Sequence, residues 1–157
     1  MAAAKWIRGE KKIIYVPVDS ATVITGGSLC RLDTDDVKPL STLGDSGTEA
    51  QNQEAAHDVF LGVALRSSAA GETAPVPVAT SGIWEFDSVS ATYEIGALVG
   101  PNGTGAGEAV GVSDTQVVSV ATANLAVGRV AKRGATLTRV QVNVESVVLT
   151  GGTQVLV

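Results

Sequence analysis

Apolar residues along this chain recur in short alternating runs, and turn residues separate the runs about every 8–12 positions. The segments "KKIIYVPV" (Lys11–Val18), "DVFLGVAL" (Asp58–Leu65) and "TLTRVQVNV" (Thr136–Val144) are rich in β-branched residues, a composition that favours strands. No segment of ten or more residues shows a clear 3.6-residue apolar period. The pattern therefore predicts an all-β fold, built as a compact β-barrel or sandwich.

One strand–turn–strand pattern occurs twice in the chain. The aligned pairs are Gly62 with Gly128, Val76 with Val140 and Val78 with Val142. The second copy has a turn two residues shorter than the first. Chance alignment of two Val/Gly-rich segments is the alternative explanation. We predict a pseudo-duplicated unit, with copies over residues 14–87 and 88–150, inside a single β-domain of residues 13–157.

Two prolines distinguish the first copy from the second. Pro75 and Pro77 remove successive N–H donors from one side of a strand, so we expect that strand to lie at a sheet edge or against a bulge. The matching residues of the second copy are Arg139 and Gln141. They keep their donors, and we expect their strand to pair on both sides.

Charge divides the chain into a basic start and an acidic remainder. Residues 1–12 carry four basic residues and one acidic residue, a net +3, whereas the whole chain carries −5. An acidic body repels phosphate, so no nucleic-acid partner is expected. Residues 1–12 are predicted to be an N-terminal arm that is poorly ordered alone and docks on a neighbour. Its candidate interface residues are Lys5, Trp6, Ile7 and Arg8.

A polar, acidic stretch interrupts the first copy. Residues 33–58 contain seven acidic residues and a single basic one, Lys38. We predict a surface insert, with one or two helical turns in "TEAQNQEAAH" because Ala, Glu and Gln are good helix formers.

The residues that most often carry chemistry are too few for a catalytic set. Cys30 and His57 are the only cysteine and histidine, so neither a disulfide nor an ordinary zinc site can form within one chain. Cys30 lies in an apolar strand and is expected to be buried, and His57 is expected in a solvated loop. We predict no catalytic residues, no cofactor and no metal.

Three other patterns resemble binding or catalytic sites, and we interpret all three as structural. The acidic residues of 33–36 lack the calcium-binding loop spacing. The glycine-rich stretch Gly100–Glu108 lacks the Lys-Ser/Thr of a phosphate-binding loop, and is predicted to be a flexible loop. Glu85 and Asp87 alternate on one strand face, which is the expected solvent face of that strand. No run approaches 18 apolar residues, and the start resembles no Sec-type signal peptide, so no membrane partner is expected.

The stretch "FLGVALRSSAAGETAPVPVATSGIWEF" (Phe60–Phe86) resembles the core of small tailed-phage head proteins known as capsid decoration, cement or head-stabilising proteins. The later segments "ATYEIGALVG" and "VGRVA…VQVNV" are similar to segments that follow it in that family. The resemblance spans roughly Val16 to Leu149, and the insert at 33–58 departs from it.

This resemblance implies a structural virion protein rather than an enzyme. It would be made in the host cytoplasm, then bind the outer surface of the capsid, bridge major capsid protein subunits and stabilise the expanded head. The resemblance also implies a homotrimer, in which Trp84 and Phe86 are the candidate buried anchors. The alternatives are a trimeric phage spike or fibre, or another β-rich binding module.

Overall fold

The computed structural model describes residues 3–103 and 111–153, and within these ranges the regular structure is mostly β-strand. The prediction of an all-β fold is confirmed. The strands are β1 (Lys5–Arg8), β2 (Ile13–Val16), β3 (Leu29–Asp33), β4 (Asp36–Pro39), β5 (Phe60–Ala64), β6 (Val76–Ala79), β7 (Ser81–Tyr93), β8 (Leu98–Gly103), β9 (Val112–Ser119), β10 (Gly128–Val130) and β11 (Gly134–Glu145). The helices are α1 (Glu49–Asp58) and α2 (Val147–Thr150), with short 3-10 helices at Leu40–Thr42 and Ala123–Leu125.

Two five-stranded units with the same connectivity make up the molecule. The first unit has the order β2-β6-β5-β3-β4, and the second has the order β7-β11-β10-β8-β9. Numbered within each unit, both read first, fifth, fourth, second, third. Parallel pairing of β7 with β9 closes the second unit into a barrel. In the first unit, the N–H of Val37 in β4 donates to the carbonyl of Pro17, just after β2 (2.9 Å).

Matching hydrogen bonds show that the duplication extends to the backbone. Before β3, the N–H of Gly27 donates to the carbonyl of Ala64 (2.7 Å), and before β8 the N–H of Gly96 donates to Val130 (2.9 Å). Both glycines adopt a positive φ, +88° and +83°, a conformation that costs glycine little. The predicted pseudo-duplicated unit is therefore present in both strand order and turn geometry.

The boundary between the units falls at Thr80, before the predicted division between residues 87 and 88. The physical reason is the length of β7, which runs without interruption from Ser81 to Tyr93. Its first half pairs with β11 across the second unit. Trp84 and Phe86 consequently belong to the second unit.

Each unit has an apolar interior built mainly from valine. In the first unit the buried cluster comprises Val16, Val18, Ile24, Cys30, Val37, Leu61, Ala64, Val76 and Val78. A second cluster fills the barrel and continues into the contact between the units through Phe60, Val63 and Ala79. Burial of these side chains is the main favourable term in holding the two units together.

The expectation that Pro75 and Pro77 lie on an edge strand is wrong. Strand β6 lies between β2 and β5, with Tyr15 opposite Pro77 on one side. On the other side the N–H of Leu65 donates to the carbonyl of Pro77 (2.9 Å). Pro75 precedes β6, and Pro77 faces a residue just past the end of β5. The N–H groups that the prolines lack would therefore lie at or past the end of the β5–β6 ladder, where β5 offers no regular partner. The carbonyl of Pro77 still accepts a hydrogen bond from Leu65.

The companion expectation for the second copy is confirmed for Gln141, whereas Arg139 pairs with Asp87 of β7 and lies past the stretch of β11 that pairs with β10. Arg139 and Gln141 lie in β11, which has β7 on one side and β10 on the other. Gln141 pairs with Glu85, and its carbonyl accepts from the N–H of Ala131 (2.8 Å).

We predicted that the acidic insert at 33–58 would lie on the surface. In the structure it contacts both units and joins them. Its first part is the β3–β4 hairpin of the first unit. Its helix, α1, has ten residues, longer than the predicted one or two turns. The capping box of Thr48 and Gln51 explains the start of α1, since each side chain bonds the other's N–H (3.2 and 2.9 Å).

Polar side chains of the insert reach the second unit. The amide of Gln53 donates to the carbonyl of Pro101 in β8 (3.0 Å), and Ser41 donates to the carboxylate of Asp114 in β9 (2.8 Å). A helix that is polar on most sides suits a position between two units. The insert therefore fixes one unit against the other.

Candidate interaction surface

The N-terminal segment is a strand of its own chain. Strand β1 pairs antiparallel with β7, placing Lys5 opposite Glu85 and Trp6 opposite Trp84. Upstream, the N–H of Ala4 donates to the carbonyl of Gly27 in the first unit (3.1 Å). The described part of residues 1–12 therefore pairs within its own chain, whereas we expected it to be poorly ordered in the isolated chain. The physical reason is that β7 is longer than β9, so β7 has room for a second neighbour along the same edge.

Trp84 and Phe86 are not available as interface anchors. Phe86 is fully buried and Trp84 is 3% exposed, both within the core of the second unit. They alternate along β7 with Glu85 and Asp87, which face outward and both bind Arg139 (3.0 Å each). Alternation on a barrel strand sends one set of side chains inward. The interpretation of Glu85 and Asp87 as an outer face is confirmed.

Trp6 is the member of the N-terminal set with the largest exposed apolar surface. Its exposed fraction is 41%, and the ammonium of Lys11 lies 4.6 Å from the centre of its ring. This cation–π contact orients an indole at the surface. Lys5 and Arg8 are exposed beside it and Ile7 is half-buried. The N-terminal residues therefore present an exposed indole with one ammonium group over its ring.

Two exposed apolar residues that sequence reasoning missed follow this segment directly. Ile13 is 44% exposed and Tyr15 is 73% exposed, both on the outer side of β2. They lie opposite Ala79 and Pro77 of β6. The signal was the continuous run "IIYV", since a run apolar at every position places apolar side chains on both faces of a strand. We refer to Lys5, Trp6, Arg8, Lys11, Ile13 and Tyr15 together as the N-terminal surface, a set defined by its place in the sequence and by its exposed or half-buried side chains.

A groove of about 470 Å³ opens on the second unit. Gly96 and Arg129 to Ala131 line one side, Gly9, Glu10 and Lys12 line another, and β7 and β11 supply the floor. Lining groups carry both signs of charge, and the guanidinium of Arg129 donates to the carbonyl of Gly96 (2.6 Å). The groove combines a backbone-rich wall with apolar side chains, among them Ile83 and Ile95.

Cys30 is buried in the first unit, as predicted. Burial, followed by the charge of Asp114, raises the pKa of its thiol from 9.0 to about 12. The thiolate is the reactive form.

We expect Cys30 to be inert to a thiol-specific reagent in the folded protein near pH 8, at a rate roughly a thousandfold below that of the unfolded chain. Because the folded-state pKa is raised, the unfolded chain releases this proton first. Stability should therefore fall as pH rises from about 9 to about 12. A reagent assay with and without denaturant measures the labelling rate, and chemical denaturation at several pH values measures the change in stability. Rapid labelling of the native protein would contradict the burial of Cys30.

His57 has a structural position instead of the solvated loop expected for it. It lies in the last turn of α1, where its Nδ1–H donates to the carbonyl of Ala126 in the second unit (2.8 Å). The expectation failed because a polar helix was not foreseen as the joint between units.

Asp33, an acidic residue of the β3–β4 hairpin, takes part in ion pairs. In the β3–β4 hairpin, Lys38 binds Asp33 (2.8 Å) and, with Arg31, lowers the pKa of that carboxyl. No group of three or more His, Cys, Asp or Glu side chains able to hold a metal occurs in residues 3–103 and 111–153. The glycine-rich stretch begins as part of β8 through Gly103, and residues 104–110, where a flexible loop was predicted, lie outside the described residues.

No protein-family model matches this chain, and no curated protein matches it in sequence. Within the described residues, no helix has the length and apolar character needed to cross a membrane.

Proposed function

We propose that this protein binds the outside of a phage capsid lattice and stabilises the expanded head by bridging major capsid protein subunits. Its place is the outer surface of the virion, and its role is mechanical instead of enzymatic. The resemblance of Phe60–Phe86 to decoration proteins suggests the class. The observation that carries the proposal in the structure is the N-terminal surface, which combines exposed Trp6, Ile13 and Tyr15 with basic side chains.

The chemistry of this surface suits a protein partner. Tryptophan, tyrosine and arginine are the residues that most often dominate binding energy at interfaces. The positive charge stands on an otherwise acidic chain, so an acidic surface on the capsid lattice would be attracted to this side of the molecule and repelled by the rest. This difference in charge between the N-terminal residues and the rest of the chain would orient the protein on the lattice.

The two-unit architecture suits a bridging role. The units are joined by a continuous apolar cluster and by the bonds from Gln53, His57 and Ser41. A rigid ligand that binds only the assembled lattice stabilises that lattice by mass action. A homotrimer would multiply weak contacts through effective concentration, and we include that state in the proposal.

Replacing Trp6 and Tyr15 tests which surface meets the capsid. We expect Trp6→Ala and Tyr15→Ala each to weaken binding to expanded heads by about 2 kcal/mol, roughly thirtyfold, because buried aromatic anchors of interfaces have such effects. Co-sedimentation of purified protein with decoration-free expanded heads measures this. Val23→Ala is the matched control, since Val23 is also exposed, at 59%, but lies outside the N-terminal surface.

The thermal stability of the free protein should change little in the Tyr15 variant. Normal head binding by both aromatic variants would contradict the assignment of this surface. Failure of the unmodified protein to bind any expanded head would instead favour a spike, a fibre or another binding module.

A further inference from the structure

The glycine turn that precedes β3 in the first unit has the same geometry as the turn that precedes β8 in the second. The bonds of Gly27 and Gly96 described above each have a second, matching bond. In the first unit the N–H of Ala64 donates to the carbonyl of Ser28 (3.0 Å), and in the second unit the N–H of Val130 donates to the carbonyl of Ala97 (2.9 Å). Because strand order and turn bonds agree, positions in the two units can be matched. The groove residues Gly96, Arg129 and Ala131 match Gly27, Val63 and Leu65.

In the first unit this position is occupied by the N-terminal segment of the chain. A Cβ placed on Gly27 would lie 2.7 Å from the Cβ of Ala3 and 2.9 Å from the nitrogen of Ala4. Ala4 also donates its N–H to the carbonyl of Gly27 (3.1 Å) and packs against the buried core. An extended segment with small side chains therefore covers the turn.

In the second unit the matching position is open. A Cβ placed on Gly96 would meet no atom within 4 Å, and Gly96 lines the groove. Its carbonyl accepts from the guanidinium of Arg129 (2.6 Å). A carbonyl oxygen has two lone pairs, so it can accept a second bond from an incoming N–H.

We propose that the groove beside Gly96 is the acceptor for an extended, small-residue segment of the capsid subunit, bound as Ala3–Ala4 is bound beside Gly27. This inference rests on the proposed function for the identity of the partner. Recognition is chiefly by backbone, as when an extended peptide binds beside a sheet. The matching contact beside Gly27 is made by alanines, so we expect alanine, glycine or serine at the contact position.

The binding site can be tested without heads by a peptide probe. The probe is the synthetic peptide AAAKWIR, residues 2–8, because it contains the segment that covers Gly27. In amide NMR spectra of the labelled full chain, we expect saturable shifts at Gly96 and Ala131. In Ala131→Tyr, a variant that fills the groove, the affinity should fall at least tenfold.

Lys132→Tyr is the matched control, since Lys132 is the next residue, is exposed, and is not in the groove lining. It should bind the peptide as the unmodified protein does. Shifts confined to Gly27 and its surroundings, or equal peptide affinity in Ala131→Tyr, would overturn the groove as a site.

Head binding then tests the partner. Ala131→Tyr should bind expanded heads at least tenfold more weakly than Lys132→Tyr. Equal head binding by the two variants would overturn the capsid segment as the occupant. If neither variant nor the unmodified protein bound heads while the peptide still bound the groove, the proposed function would fail and the peptide site would stand.

Discussion

Phe86→Ala should lower the free energy of unfolding by about 3–5 kcal/mol, the usual cost of truncating a buried phenylalanine. Phe86 has no exposed surface and lies in the core of the second unit. The loss includes both the transfer of the ring to water and the cavity left behind. Chemical denaturation at fixed protein concentration measures it, and the change should not depend on that concentration.

Tyr15→Ala is the control for this experiment. It removes an aromatic side chain that is 73% exposed, so its effect on unfolding should stay within about 0.5 kcal/mol. If Phe86→Ala left the monomer's stability unchanged but dissociated an oligomer, Phe86 would be an interface anchor after all.

Gly62→Ala and Gly128→Ala should each destabilise the protein by about 3 kcal/mol, at the upper end of the range for overpacking. A Cβ on Gly62 would lie 2.9 Å from the carbonyl carbon of Ala79, and a Cβ on Gly128 would lie 2.9 Å from that of Asn143. Both obstacles are backbone atoms of the neighbouring strand, which cannot move aside without breaking its ladder.

Gly44→Ala is the matched substitution, because no atom lies within 4 Å of the position its Cβ would take. It should be neutral or slightly stabilising, since alanine restricts the unfolded chain. Similar losses at Gly62 and Gly128 would show that the two units share the same close strand approach. A tolerated Gly128→Ala beside a damaging Gly62→Ala would show that the duplication does not extend to packing.

The strand pattern and the duplication were predictable because both depend on local order. Gly62 and Gly128 fall at the same point of the repeated pattern, and their units have the same connectivity. The run "IIYV" and the alternation around Trp84 likewise identify strands without any knowledge of their neighbours. The pattern does not specify which neighbour a strand will have.

The wrong expectations arose because the sequence does not show which strands become neighbours. Pro77 suggested an edge, but the place where β5 ends decides whether its missing donor matters. Lys5–Arg8 was expected to be poorly ordered in the isolated chain because the free half of the β7 edge cannot be seen in the sequence. Phe86 and Tyr15 are both aromatic residues on strands, and only the three-dimensional arrangement shows that one fills a barrel and the other faces outward.

The exposed residues of the candidate interaction surface were predictable in part. Charge and aromatic content identified Trp6 and its basic neighbours. Ile13 and Tyr15 were missed, because an apolar run is more often buried than exposed. The groove beside Gly96 required the comparison of two units in space, since its residues come from separate segments of the chain.

Electron cryo-microscopy of expanded heads incubated with the purified protein tests the capsid-binding proposal most directly. We expect ordered density on the outer surface, at positions shared by several major capsid subunits, into which the two-unit fold can be placed with Trp6 and Tyr15 toward the shell. Heads that remain bare at saturating protein, or density found only at the tail or at fibres, would contradict the account.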